Sequence, residues 1–504
     1  MSLTLSDARI RLDAEPTLPV RPALEVAMPG HCPGRVHWRW LLDQVALTQQ
    51  IEGAGYSDTL ELLRMLRAAE PLPEDADIPT LTSLYGLPIP LGSLSQFEAL
   101  FPEAFSTGTL YHSHLAGNAA WLPLAVRDFF THATSMAPRR LWVIPVRQSE
   151  QQQGFLPHPG SDWTNGRLLG AFDRALALPE VGLIALPDLE RLQIPADLQD
   201  VPRKRLPNEV PRFLPCSSDL NDSHRERRHS AEIPRPPKPR DFGTLLHRLG
   251  AETALRRPDM HLLLGMPFDP EGEGESPQIS QAALADLADY RSEYRGKNLR
   301  RVQLLFPYLR SPRQPLMSAC GLLAAEMVAR TRQGAWLSVA GRPLSDNYRP
   351  YPPVNRNAAT SLRDKHALGI LVEERGRTKL DDERLGAGVF GDPTEHARSG
   401  EIARFLGWLQ RELRRLGERL LFDADPRDPR PRILLESFFG RLHARGALRG
   451  NLPNEGFSIR QSAPAESTLL FEIDLAPAFP IDRIRLSISR DGHDQGWNVG
   501  DPSA

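Results

Sequence analysis

The sequence predicts an α/β protein, an α+β core of helix-covered mixed sheet domains with extended N- and C-terminal linking strands. Three observations predict it. Short and almost wholly apolar runs of strand length recur along the chain. Segments of helical period separate them. Proline and glycine punctuate the boundaries between the two. Runs that are apolar at every position mark strands buried on both faces, and strands that alternate with helices imply a largely parallel sheet.

Taken in order, 1–34 is extended and proline-punctuated. Its one alternating stretch, Ala8-Arg9-Ile10-Arg11-Leu12, has strand period and no visible core of its own. Residues 36–69 read as helix, interrupted at Gly53 and Gly55. The α/β rhythm begins near 76, with 78–87 as a strand candidate. Ser93 is placed to cap a short helix, with Gln96 closing a capping box. Further helices fall at 124–132 and 166–176, and strands at 141–146 and 181–186. The segment 201–240 carries eight prolines and basic clusters at 203–205 and 225–228, so it reads as an exposed loop.

The rhythm then resumes. A helix at 242–256 leads to a strand at 261–264, and a helix at 280–293 leads to a strand at 302–308. Further helices fall at 315–331, 401–421 and 432–444, and alternating strands at 468–475 and 483–490. The helix 401–421 sets Ile402, Phe405, Leu406, Leu409, Leu413, Leu416 and Leu420 on one face. Its other face carries Arg404, Arg411, Arg414, Arg415 and Arg419.

Composition bounds the function. At 504 residues the chain exceeds one ordinary core, so several domains are expected. They fall at 1–75 (arm and helical segment), 76–190 (outer α/β domain), 191–241 (exposed loop), 242–400 (middle core), 401–490 (C-terminal domain) and 491–504 (tail). With 61 Lys and Arg against 63 Asp and Glu, the formal charge is −2. That gives no signal for nucleic acid or an anionic membrane and does not oppose self-association. No apolar run reaches membrane-spanning length and the N-terminus lacks signal-peptide character, so synthesis in the cytoplasm is expected. Three widely spaced cysteines (Cys32, Cys216, Cys320) argue against a disulfide framework or a cysteine zinc site.

No catalytic, cofactor or metal residues are expected. His112-Ser113-His114, and His31-Cys32 with His37, lack a further ligand at a recognised spacing. Gly386 to Gly391 imitates a phosphate loop, but no helix of the expected pattern follows it. There is no Gly-x4-Gly-Lys-Ser/Thr pattern.

Several short signatures, in order, say more. Tyr85-Gly86-Leu87-Pro88 precedes Leu94-Ser95-Gln96-Phe97-Glu98-Ala99-Leu100-Phe101. A helix ending in Phe129-Phe130 precedes the strand 141–146, and Leu183-Ile184-Ala185-Leu186-Pro187-Asp188 follows. Then come Leu305-Phe306-Pro307-Tyr308-Leu309, and Ala329-Arg330 through Gly334-Ala335-Trp336. Leu421-Phe422-Asp423-Ala424-Asp425-Pro426 and Gly446-Ala447-Leu448-Arg449-Gly450 follow, and Ala476-Pro477-Ala478-Phe479-Pro480 comes last. In this order, over about 80–485, they resemble the contractile tail-sheath family of phage tails and extracellular injection systems. The departures lie at the N-terminus. Met28-Pro29-Gly30-His31 lacks the Val-Tyr of the family's opening strand, the helical segment 36–69 is an addition, and Arg332 stands where the family has aspartate.

The resemblance implies a non-enzymatic structural subunit, with no cofactor, that polymerises with itself as a helical homo-oligomer of stacked hexameric rings. Its implied partners are an inner tube protein and baseplate and cap or terminator proteins, without nucleic acid or membrane insertion. The particle would be a phage tail or an injection device. Linking strands between subunits are expected to use Ile10, Leu12, Leu470, Ile473, Leu475, Ile484, Leu486 and Ile488. A tube-facing basic surface is expected from Arg404, Arg411, Arg414, Arg415, Arg432, Arg441 and Arg445. The alternatives are a minor sheath-like paralogue, cap or terminator, and an unrelated α/β enzyme.

Overall fold

The computed structural model describes residues 23–34, 36–68, 84–105, 115–117, 119–132, 139–158, 160, 169–194, 241–270, 277–294, 296–312, 314, 316–387, 399–420, 429–465, 468–478, 484–490 and 497–500. Ile10 and Leu12, the histidines at 112 and 114, and most of the loop 191–241 lie outside them. In chain order the strands are β1 (Glu25–His31), β2 (Ile89–Leu91), β3 (Leu141–Val146), β4 (Val181–Ala185), β5 (His261–Gly265), β6 (Phe268–Asp269), β7 (Gln278–Ile279) and β8 (Val302–Phe306). They continue with β9 (Tyr308–Arg310), β10 (Pro343–Ser345), β11 (Arg349–Tyr351), β12 (Gly369–Glu374), β13 (Arg377–Leu380), β14 (Phe457–Ala465), β15 (Thr468–Leu475), β16 (Ile484–Arg490) and β17 (Trp497–Gly500).

Nine strands make one sheet in the order β10-β13-β12-β8-β5-β4-β1-β3-β2. The six from β12 to β3 run parallel. Antiparallel β2 closes one end, and β13 and β10 close the other. Every residue of β3, β4, β5 and β8 is buried, which is why these segments are largely apolar rather than alternating, the exceptions His261 and Gln303 bonding each other at 3.0 Å. The sheet runs through the segments 76–190 and 242–400, which the sequence reading set apart.

The chain divides into two compact units. The described parts of Leu24–Thr331 and Ala335–Arg411 make the amino-terminal one, and those of Glu412–Ala504 with Arg332–Gly334 the carboxy-terminal one. The sequence reading places a boundary at 400/401. That is where the helix Gly400–Leu420 begins, but the two units divide within the helix, and its residues up to Arg411 belong to the amino-terminal unit.

The helices follow their sequence signals. Phe242–Arg256 starts where Asp241 accepts a 2.8 Å hydrogen bond from the Thr244 N–H, and it buries Phe242, Leu245, Leu246 and Leu249. Ser93 accepts from the Gln96 N–H, while the Gln96 side chain reaches back to the N–H of Gly92, one residue before the expected partner. The segment 36–69 is three helices, Trp38–Asp43, Val45–Gly53 and Ser57–Ala68. The last two part at Gly55, whose φ of 90° suits glycine.

The largest correction concerns β1. Read as part of an arm without a core, it is an inner strand of the sheet, and Val26, Ala27 and Met28 are fully buried. Proline and glycine disguised it, because proline is rare inside a sheet. Here the ladder to β4 ends at Ala27, two residues before Pro29, while the ladder to β3 runs on to His31. Gly30 is needed for a close approach. A Cβ there would lie 2.5 Å from the Leu122 Cβ and 2.8 Å from Asp188 Oδ2.

Candidate assembly site

The carboxy-terminal unit is a four-stranded antiparallel sheet, β14-β15-β16-β17, backed by the helix Arg430–Ala444. The helix buries Leu435, Phe438, Phe439 and Leu442. Phe439 packs on Phe457 of β14 at 5.6 Å between ring centroids. The helix ends where Gly446 turns to a φ of 77°, a left-handed position that glycine adopts without strain. On β15 Phe471, Ile473 and Leu475 are buried, while Leu470, Glu472 and Asp474 alternate with them at half-buried positions.

Two signatures far apart in sequence meet here. Leu448 of Gly446-Ala447-Leu448 bridges Pro477 of Ala476-Pro477-Ala478. The Arg449 N–H donates to the Ala476 carbonyl at 2.8 Å, and the Ala478 N–H donates to the Ala447 carbonyl at 2.9 Å.

Register places Ile484, Leu486 and Ile488 opposite Leu475, Ile473 and Phe471. Of the expected linking residues, Ile473 and Leu475 therefore pair within the chain with Leu486 and Ile484, while Leu470 lies opposite Ser489 and Ile488 opposite Phe471. β15 and β16 have both neighbours, so the unpaired edges of this sheet among the described residues are β14 and β17. Sequence reasoning missed both edge strands. The alternation Phe457-Ser458-Ile459-Arg460 was the available signal for β14.

The arginines separate into two groups. Arg404 and Arg411, expected on a tube-facing surface, are 3% and 5% exposed and lie inside the amino-terminal unit. The basic face of the helix is internal there because two acids from distant segments meet it. Arg404 forms a two-pronged pair with Glu383 and also donates to the Leu337 carbonyl at 3.1 Å. Arg411 donates to the Asp259 carbonyl at 2.6 Å. Burial alone would push the Glu383 carboxyl up. Arg404, the Val339 N–H and the Ser338 hydroxyl together hold it below its ordinary value. The remaining arginines are more accessible. Arg414 and Arg415 are half-buried, with Arg415 on Glu412 at 2.7 Å. Arg432 is exposed and bonds Glu436 at 2.9 Å, Arg441 reaches Ser437 at 3.0 Å, and Arg445 is exposed. Ile433, beside Arg432, is 57% exposed.

In doubly wound sheets ligands bind outside the carboxyl ends of the strands, where the strand order reverses. That place, between β1 and β4, is filled here by the chain's own side chains. Asp188 is fully buried and accepts from three backbone N–H groups, those of His31 at 2.9 Å, Trp121 at 2.8 Å and Leu122 at 3.0 Å. Trp121 and Leu122 open the helix Trp121–Thr131, so an internal carboxylate stands where a helix N-terminus would hold an anion. Next to it, buried Glu190 accepts from the Gly265 N–H at 2.9 Å. Among the described residues no group of histidine, cysteine and acidic side chains is placed to hold a metal, and no helix is long and apolar enough to cross a membrane.

Burial pushes the Glu190 carboxyl up to about 7, against the opposing pull of Ser318 and the Gly265 N–H. A carboxyl raised in the folded state contributes stability below its unfolded value and loses it as pH rises through the folded one. Glu190→Gln keeps an acceptor for Gly265 without the charge. The stability of this variant relative to the wild type is expected to rise by on the order of 3 kcal/mol between about pH 4 and pH 8. Urea titrations of both proteins across that range check it, and parallel pH profiles would contradict it.

No protein-family model matches the chain, and no curated protein matches its sequence. Solved structures do. A chain of the anti-feeding prophage baseplate in its contracted state superposes with a TM-score of 0.50 at 15% identity, covering 96% of this chain and 95% of that one. The anti-feeding prophage helical sheath in its contracted state gives 0.48 at 13%, covering 95% and 98%. The sheath tail protein of Desulfitobacterium hafniense gives 0.48 at 8%, covering 97% and 100%. The fold is thus shared, over nearly the whole length, with a chain of that contracted baseplate.

Proposed function

We propose that the chain is a structural subunit of a contractile tail sheath. It polymerises helically around an inner tube, contacts baseplate and cap proteins at its ends, and contracts to drive the tube through a target envelope. The observation that carries this reading is the end-to-end likeness to a chain of the anti-feeding prophage baseplate in its contracted state. The ordered signatures of the sequence support it independently. A carboxy-terminal sheet with open edges at β14 and β17 suits linkage by strand addition, in which a neighbour's extended segment continues the ladder. Repeated head-to-tail contacts of that kind build an open helix.

The linkage is tested by ending the chain at residue 482, which removes β16 and β17 and leaves β14, β15 and the helix behind them. A cut before β15 is less informative, because it also removes the buried Phe471, Ile473 and Leu475. The shortened chain is expected to keep the amino-terminal unit folded and to lose assembly. Normal tubules from it would contradict strand linkage.

The accessible arginines Arg432, Arg441 and Arg445 are the candidates for gripping the tube. Reversing all three to glutamate is expected to weaken tube binding by about tenfold or more, with folding stability changed by less than about 1 kcal/mol. Co-sedimentation with the tube protein at two salt concentrations measures this. Unchanged binding would remove the electrostatic grip. The added helical segment at the N-terminus keeps a cap, terminator or minor paralogue as the second reading. The filled crevice between β1 and β4 weighs against an enzyme built on the same sheet.

A further inference from the structure

The helix Gly400–Leu420 crosses from one compact unit into the other without a break. Arg411 is the last of its residues in the amino-terminal unit. Arg404, Gly407 and Arg411 follow one another at spacings of three and four, so they share one side of the helix. Each is matched to a partner. Arg404 pairs with Glu383. Gly407 lets the helix backbone close on Asp259, whose carbonyl oxygen would lie 2.1 Å from a Cβ at that position. The Arg411 guanidinium sits over Gly182 in β4, where an added Cβ would lie 2.3 Å from Nη2.

Charge compensation does not account for Arg411. Asp259 already has a two-pronged pair with Arg257, at 2.9 Å on each oxygen. The Arg411 side chain reaches the same carboxylate only at 3.4 Å, and its shorter bond, 2.6 Å, goes to the Asp259 carbonyl. Seating it takes a glycine inside a buried strand and a second buried guanidinium, neither of which improves stability over an apolar side chain. Buried polar contacts of this kind are best attested as devices that fix register.

We propose that Arg411 is a positioning residue: seated over Gly182 and held by Asp259, it fixes the rotation and axial register with which the helix leaves the amino-terminal unit. The inference rests on the continuity of the helix and stands apart from the sheath reading, so either can fail alone.

Spin labels test it in the full-length chain, at Thr360→Cys in the amino-terminal unit and Arg414→Cys on the same helix just beyond Arg411, neither of them a buried position. Cys216→Ser provides the background. Cys32 and Cys320 are buried with thiols raised well above the ordinary range, which protects them from the label. Samples are diluted with unlabelled protein, and the distance distribution is read by pulsed electron resonance. Arg411→Met leaves Asp259 paired with Arg257. It is expected to melt within a few degrees of the wild type while the distribution at least doubles in width. Arg411→Lys, which keeps a donor on the Asp259 carbonyl, is expected to recover part of the narrowing. Gly182→Ala displaces the guanidinium without removing it, carries the same expectation as Arg411→Met, and serves where that variant fails to fold. A distribution superimposable on the wild type in a folded variant overturns the proposal, as does a lysine variant as broad as the methionine one.

Discussion

Replacing Asp188 with alanine is expected to lower the stability of the amino-terminal unit by about 3 kcal/mol or more. The substitution leaves three buried N–H groups without their acceptor, and each stranded donor costs about 1–3 kcal/mol. The donors are the end of β1 at His31 and the first turn of the helix Trp121–Thr131 at Trp121 and Leu122. One carboxylate thus fastens a strand end and a helix start that lie far apart in sequence. Asp188→Asn keeps one acceptor oxygen, so it is expected to recover part of the loss. Gly30→Ala attacks the same joint from the other side, because its methyl would meet both Leu122 and Asp188. Denaturant unfolding of the three variants measures the effect. An alanine variant within about 1 kcal/mol of the wild type would mean that the joint is satisfied in some other way.

Replacing Arg404 with methionine is expected to cost about 3–5 kcal/mol, the usual price of a buried carboxylate left without its counter-ion. Glu383 is fully buried, and after the substitution it keeps only the Ser338 and Val339 donors. Its carboxyl is held below the ordinary glutamate range in the wild type. A depressed carboxyl contributes stability above its unfolded value and loses it as pH falls through the folded one. The deficit of Arg404→Met is therefore expected to be full at neutral pH and to shrink under acid, as Glu383 protonates. Glu383→Gln in the same chain is expected to restore part of the stability. A double variant no better than the single one would contradict the pairing.

These positions also show how far the sequence could be read. The largely apolar runs that became β3, β4, β5 and β8 announced themselves, because burial on both faces leaves room only for polar residues that bond each other, as His261 and Gln303 do. The helices Phe242–Arg256, Gly400–Leu420 and Arg430–Ala444 were legible within two residues from their caps and apolar stripes. β1 was not, because Met28-Pro29-Gly30 carries turn residues for reasons that exist only in three dimensions: a ladder that stops and a helix that comes close. The short strands β10 to β13 were also missed, since runs of three to six residues carry little periodicity, as was the helix Arg356–His366, which is mostly polar and buries only Ala359.

The candidate site divides in the same way. Ile473 and Leu475 were legible on one alternating face, but Leu470, expected with them, falls on the opposite face and Phe471 takes its place, and which strands pair with β15 depends on register that the sequence does not state. The basic stripe on the helix Gly400–Leu420 looked like a surface because the groups that receive it, the Glu383 carboxylate and the Asp259 carbonyl, lie in other segments. A stripe of arginines reads the same whether water or a distant carboxylate faces it. Only the fold distinguishes Arg404 and Arg411 from Arg432 and Arg445.

The central claim is that this fold polymerises around a tube. The chain is expressed together with a tube protein of a contractile tail, and the particles are viewed by negative-stain electron microscopy. Long, ridged, hollow cylinders enclosing the tube are the expected result. Small discrete particles alongside bare tubes would contradict a main sheath subunit and favour a cap or minor paralogue.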